Sequence, residues 1–186
     1  WVIRRQTSPK QFADTAKAKK DYLPLIEAAL AKATPAGKLN RQSGFCVRRG
    51  PFVIAHALSE PITMPGRYVN VLDPELPVVN DIKVEPGQSA VYRDVQSLTK
   101  TRIPAVLHCT HRLIEQSANR NTLSAVLRGP AETPGVIRVF TAGLTAKSVT
   151  ASALDGRPLT ADVTATGNTL RIRFPNVPEG AVIKVQ

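Results

Sequence analysis

Aromatic side chains are scarce in this 186-residue chain, which has one Trp, three Tyr and five Phe. Sugar recognition leans on exposed aromatic rings as apolar platforms, so this supply argues against a dedicated carbohydrate-binding module. Cysteine is rarer still, with only Cys46 and Cys109. One disulfide in an oxidising compartment and two free buried thiols both fit that pair. No uninterrupted apolar run approaches the roughly 20 residues that a membrane-spanning helix needs. The opening Trp1-Val2-Ile3-Arg4-Arg5-Gln6 has neither the apolar core of a signal peptide nor its small-residue cleavage site, and the chain is expected to be a piece of something longer. There is no Gly-x-Ser-x-Gly elbow for a nucleophile and no Gly-rich phosphate loop. Nothing in the sequence calls for a cofactor.

Acidic residues are also in deficit. Against 25 Lys and Arg stand 14 Asp and Glu, a net charge of +11. The imbalance is mostly N-terminal, with 11 basic and 3 acidic side chains in residues 1–50 against 14 and 11 in residues 51–186. Such asymmetry suits a solvated helix face, an acidic partner or a polyanion. Nucleic acid is disfavoured as a partner, because no basic stretch is interleaved with aromatics and no helix-turn-helix, zinc-finger or RNP-like pattern occurs.

The pattern that is present changes once along the chain. Ser8-Pro9-Lys10-Gln11 has the form of a capping box with Pro at the first helical position. A second helix start is expected at Asp21, which would leave Pro24 in a first turn where no hydrogen bond is lost, and two helices or one bent helix both fit the segment. Leu23, Ile26 and Leu30 then make an apolar stripe that must be buried against another surface, and Thr34-Pro35-Ala36-Gly37 ends the segment. From Gly44 the period becomes two. Strands are expected over residues 45–48, 52–58, 67–72, 78–84, 89–95, 103–115, 122–127, 135–140, 149–154, 159–165, 170–174 and 181–185. Turn residues separate them, among them Gly50-Pro51, Pro65-Gly66, Pro86-Gly87 and Gly167-Asn168. In the last quarter Leu170, Ile172 and Phe174 share one face and Thr169, Arg171 and Arg173 the other, the mark of a hairpin with one buried and one wet side.

These readings predict a mainly β protein, an antiparallel β-sandwich spanning residues 44–186 behind a helical segment at 1–43. Thr99-Lys100-Thr101 marks where the β region would divide, and one continuous sandwich fits equally. The echo of Val47-Arg48-Arg49-Gly50-Pro51 in Val126-Leu127-Arg128-Gly129-Pro130 is expected to be one turn solution used twice.

Arg48-Arg49-Gly50-Pro51-Phe52-Val53-Ile54-Ala55-His56 and Gly66-Arg67-Tyr68-Val69-Asn70-Val71-Leu72-Asp73-Pro74-Glu75-Leu76-Pro77-Val78 resemble the β region that follows the catalytic barrel in some bacterial glycoside hydrolase-like proteins. Leu127-Arg128-Gly129-Pro130-Ala131-Glu132-Thr133-Pro134-Gly135-Val136 and the closing run from Asn176 to Val185 are similar in style. The likeness spans residues 44–186 and rests on turn and strand phrasing. It implies a non-catalytic accessory or structural domain in a carbohydrate-related setting, whose partner would be a catalytic domain or a glycan. The alternatives are a glycan-binding module, and an interaction domain that uses the basic N-terminal helix.

Candidate chemistry is limited. With Phe12, Phe45, Phe52, Phe140 and Phe174 expected on core faces, Tyr68 and Tyr92 are the ring pair that could share a surface, with Arg49 and Asp73 nearby in the sequence; these four form the expected ligand site. Glycoside hydrolysis needs two carboxylates about 5–10 Å apart, and Asp73, Glu75, Asp81 and Asp94 are the available cluster. Asp73 and Asp81 stand where turn and cap carboxylates ordinarily do, so no catalytic residue is assigned. His108, Cys109 and His111 lie within four positions, but in a strand the two histidines point to opposite sides. Zinc needs three or four converging ligands, so no metal site is expected either.

Overall fold

The computed structural model describes residues 16–33, 44–98, 100–143 and 148–186. The chain divides into two compact units, residues 1–42 and 43–186. In the first, a single helix α1 (Ala16–Ala33) runs without interruption through Pro24. Of the two alternatives, one helix continues across Asp21, and the placement of Pro24 in a first turn is corrected. Pro24 lies mid-helix, where it removes one backbone hydrogen bond at a cost of about 3 kcal/mol. Ala, Leu, Glu and Lys fill most of the remaining positions and favour the helix, and Lys32 in the last turn complements its dipole. Leu25 and Ile26 are exposed in this unit. The capping box at Ser8 and the stop at Thr34-Pro35-Ala36-Gly37 lie outside the described residues.

The second unit is mainly β, as the sequence predicts. Its first sheet comprises β1 (Gly44–Arg49), β2 (Phe52–Ala57), β3 (Ile62–Asn70), β4 (Val78–Val84) and β5 (Ser89–Asp94) in the order β1-β2-β5-β3-β4. The second contains β6 (Ala105–Cys109), β9 (Pro134–Phe140), β12 (Asp162–Thr166) and β13 (Thr169–Pro175) in the order β12-β13-β9-β6. The third contains β7 (Arg112–Ala118), β8 (Leu123–Arg128), β10 (Val149–Ala153), β11 (Pro158–Leu159) and β14 (Ala181–Val185) in the order β11-β10-β14-β8-β7. Every pairing is antiparallel.

Side-chain alternation assembles these sheets into layers. Ile137 and Val139 of β9, Leu170, Ile172 and Phe174 of β13, Leu123, Ala125 and Leu127 of β8, and Ile183 and Val185 of β14 form one core between the second and third sheets. This is the sandwich. The opposite face of the second sheet is covered as well. Leu107, Val136 and Phe140 pack there against Val69, Leu76 and Val95 from the first-sheet region. The side of β13 expected to be wet is consequently enclosed in part, with Thr169 fully buried and the Arg171 side chain only 25% exposed. The first sheet keeps its own core on its inner face, from Val53, Ala55, Tyr68, Ile82, Val84 and Tyr92.

Three local expectations change. Pro65-Gly66 does not close a strand pair but forms an irregularity inside β3, between Met64 and Arg67. Gly66 (φ 142°) lies against the Tyr68 ring, and its N–H donates to Asp81 Oδ1 at 2.9 Å. The long strand expected over residues 103–115 breaks at Thr110-His111, where the chain leaves the second sheet for the third. The two Arg-Gly-Pro sequences do different jobs. Gly50 takes the left-handed φ of 57° in the β1–β2 turn, whereas Gly129 has no positive φ and leaves room for the His111 imidazole where a side chain would stand. The boundary expected near Thr99-Lys100-Thr101 falls between the first sheet and the rest in sequence, but the shared core of Val69, Leu76, Val95, Leu107, Val136 and Phe140 joins the two regions.

Ile172 and Val163 face each other in register across β12 and β13, but Ile172 is fully buried and Val163 is 40% exposed. Ile172→Ala should lower unfolding free energy by about 2–5 kcal/mol in a denaturant titration. Val163→Ala should change it by less than about 1 kcal/mol.

Candidate functional site

The expected ligand site resolves into separate pieces. Tyr68 of β3 and Tyr92 of β5 do come together, with ring centroids 6.2 Å apart and planes at 61°. They meet on the inner face of the first sheet, where Tyr68 is 1% and Tyr92 9% exposed. A sugar would need the ring faces that the core already covers, so the pair is a packing contact rather than an open platform. Arg49 is exposed beside the β1–β2 turn. Asp73 lies in the β3–β4 connection, its Oδ1 accepting the Glu75 N–H at 2.8 Å in an Asx turn. Of the expected core aromatics, Phe45 is half exposed on the outer face of β1 and Phe12 lies outside the described residues.

What reaches the tyrosines is Arg48. Strand parity sends it inward with Cys46, and its Nη2 donates to the Tyr68 hydroxyl at 3.2 Å while Nη1 meets Asp94 Oδ2 at 2.5 Å. The Asp94 hydrogen bond raises the Arg48 pKa above its ordinary value. Asp94 Oδ1 also accepts the Gln96 N–H at 2.8 Å, capping the short 3-10 turn Gln96–Leu98. The remaining acids are equally engaged. Asp81 holds the Gly66 N–H, and Glu75 forks between Arg171 Nη1 at 2.8 Å and Arg173 Nη1 at 3.1 Å. Each of the four carboxylates thus has a turn, a cap or an ion pair to serve.

His108, Cys109 and His111 part company at the corner. No group of three or more His, Cys, Asp or Glu able to hold a metal occurs among the described residues. Both cysteines are free thiols, Cys46 in the first sheet beside Met64 (3.2 Å) and Cys109 in the second, donating to the His111 carbonyl at 2.9 Å. Burial raises the Cys109 pKa, which keeps the thiol protonated and unreactive. His111 is enclosed by Phe174, 6.0 Å away edge to face, and by Gly129, with Thr110 Oγ1 3.1 Å from Nδ1.

The feature that sequence reasoning missed is a row of guanidiniums between the first and second sheets. Register aligns Thr164, Arg171, Arg138 and His108 across β12, β13, β9 and β6. Arg138 is 3% exposed; its Nε donates to the Leu76 carbonyl at 2.9 Å, while Nη1 is buried with no partner. Burial, with the neighbouring positive charges of Arg171 and Arg67, lowers its pKa to about 10. Arg67 donates to Asn168 Oδ1 at 2.9 Å and to the Thr166 carbonyl at 2.7 Å, lying over Gly167. Arg93 stacks on Phe52, 5.6 Å from the ring centroid, with its Nε buried and unpartnered. One signal was available in the sequence: a single charge inside Gly135-Val136-Ile137-Arg138-Val139-Phe140, a run otherwise apolar enough to be buried on both faces.

Beside the row, Pro134, Thr160, Asp162, Arg173, Phe174 and Pro175 line a shallow, largely apolar depression of about 350 Å³. No helix among the described residues is long and apolar enough to cross a membrane. Comparison with known protein families, curated proteins and solved structures finds no match for this chain.

Half-buried His108 and buried His111 both carry a lowered pKa, His108 through burial and then the Arg93 charge, His111 through burial. The unfolded chain takes up these protons near pH 6.5, and the folded chain does so only at lower pH. Between those values the unfolded state holds more protons, so stability falls as pH drops below about 6.5. Each histidine contributes a slope of at most about 1.4 kcal/mol per pH unit. Urea titrations from pH 7.5 to 5 should show this loss, and it should shrink in His111→Gln.

Proposed function

We propose that this chain serves as a non-catalytic accessory domain of a carbohydrate-active, glycoside hydrolase-like protein, with a positional rather than chemical role. The observation that carries this reading is the commitment of Asp73, Glu75, Asp81 and Asp94 to turns, caps and ion pairs. A glycosidase needs two carboxylates free to face one bond, one of them protonated near neutral pH. A carboxylate already engaged by backbone N–H donors or guanidiniums is not free to turn toward a glycosidic bond.

Two further features support a bracing role. The first-sheet region is clamped to the sandwich by the Arg138–Leu76, Arg67–Thr166 and Arg171–Glu75 hydrogen bonds as well as by shared apolar packing. The outer face of β1 and β2 presents Phe45 and Val47, each 50% exposed, with Ile54 in register opposite Val47. That apolar strip suits contact with the catalytic domain of the same protein. The carbohydrate setting itself rests on the resemblance of residues 44–186 to the β region behind glycoside hydrolase-like barrels.

The test pairs a hydrolysis assay on a panel of aryl glycosides with a glycan array. The expected result is no turnover above buffer and no glycan bound. Turnover lost in Asp73→Asn or Asp94→Asn would overturn the non-catalytic reading, and specific glycan binding without turnover would replace it with a recognition module. Tyr92→Ala is expected to destabilise the fold by roughly 3 kcal/mol or more. A Tyr92→Ala protein of unchanged thermal stability would contradict the core placement of that ring.

A further inference from the structure

The buried face of the second sheet holds more positive charge than its neighbours balance. Arg138 stands in the middle strand of the interlayer core, flanked on its own face by Val136 and Phe140. Its one hydrogen bond is to a neutral carbonyl, from Leu76, and its Nη1 is enclosed without a partner. Arg171, directly opposite it on β13, gives its Nη atoms to Glu75, Asp162 and Thr164 and leaves its Nε buried and unpartnered. Arg67 is half-buried nearby, held by neutral oxygens of Asn168 and Thr166. Arg173 shares Glu75 with Arg171. Four guanidiniums therefore meet two carboxylates, and the most deeply buried of the four is bonded to neither.

Isolated buried charges are costly, and proteins ordinarily pair them. A guanidinium offers donors in a planar fork that matches carboxylate, sulfate and phosphate oxygens. We propose that Arg138, Arg171 and Arg67 form a binding site for a compact oxyanion, a carboxylate, sulfate or phosphate group, at the margin where the first sheet meets the second. The anion accepts from Arg138 Nη1 and Arg171 Nε, the two buried donors left over, and Arg67 closes the positive field around it. Glu75 limits the site on one side, because its charge already holds Arg171 and Arg173 and repels a second anion placed against it. Entry is through Arg171 and Arg67, which are in part exposed. Since both layers contribute, occupancy ties the first sheet to the sandwich and stabilises the fold in proportion to anion binding.

The experiment is thermal unfolding and isothermal titration calorimetry of the full chain at constant ionic strength, with sulfate or phosphate replacing chloride over the low-millimolar range. A saturable rise in Tm, on the order of 3 °C or more at saturation, is expected. It should persist in Arg157→Gln, which alters an exposed arginine paired with Asp155. Arg138→Met removes the buried charge at similar volume and should abolish the response. If that protein fails to fold, Arg171→Gln and Arg67→Gln should each weaken binding at least tenfold. Glucuronate against acetate separates a sugar-borne carboxylate from a free anion, with tighter glucuronate binding assigning the saccharide. A Tm that rises linearly with sulfate and equally in Arg138→Met is general salting and overturns the proposal. So does an Arg138→Met protein more stable than the parent in chloride when the parent shows no oxyanion response.

Discussion

The union of the first-sheet region with the sandwich depends on β9 being covered on both faces. One side supplies Ile137 and Val139 to the sandwich core, and the other supplies Val136 and Phe140 to the interface with the first-sheet region. A strand with two dry faces must be apolar on both, as in the middle layer of stacked sheets. Arg138 breaks that rule at the centre. Its charge is supported by the Leu76 carbonyl and by the nearby Glu75 carboxylate, and opposed by burial and by the charges of Arg171 and Arg67. The arrangement puts a buried charge that makes no ion pair inside an apolar interlayer core.

The polar clamps between the layers follow from the same constraint. Glu75, Leu76, Thr166 and Asn168 all belong to connections or strand ends rather than strand middles, and each receives an arginine from a facing strand. Arginine suits this work because its stem packs along apolar surface while its fork reaches several acceptors. The contacts set the register of one layer on the other more narrowly than apolar packing alone would. The acids that a glycosidase reading would enlist are taken up by this bracing and by turn formation.

Much of this architecture was legible in the sequence. The hairpin around Gly167-Asn168, the alternation of β13 and the change of period at Gly44 each follow from residue spacing and turn chemistry, and each appears in the structure. What was not legible has a common cause. Alternation shows which residues share a face, but not what covers that face. Arg171 and Thr169 therefore read as wet, although a second layer encloses them. Tyr68 and Tyr92 read as a surface pair for the same reason, because parity alone cannot tell the inside of a curled sheet from its outside. The break at Thr110-His111 carries no Gly or Pro signal, being set by the packing of His111 against Gly129 and Phe174. Pro65-Gly66, which does carry such a signal, turned out to bend β3 rather than end it.

The separation of the first sheet in sequence has a consequence for synthesis on the ribosome. All five of its strands lie within residues 44–94, so its hairpins can close while the rest of the chain is still being made. Its outer surface at Val69, Leu76 and Val95 must then wait for β9, and the Glu75 carboxylate must wait for Arg171, 96 residues downstream. During that interval a nascent chain carries an open apolar face and an uncapped acid. The last hairpin to emerge therefore seals the layers together and hides the surface on which a chaperone or a second nascent copy would otherwise settle.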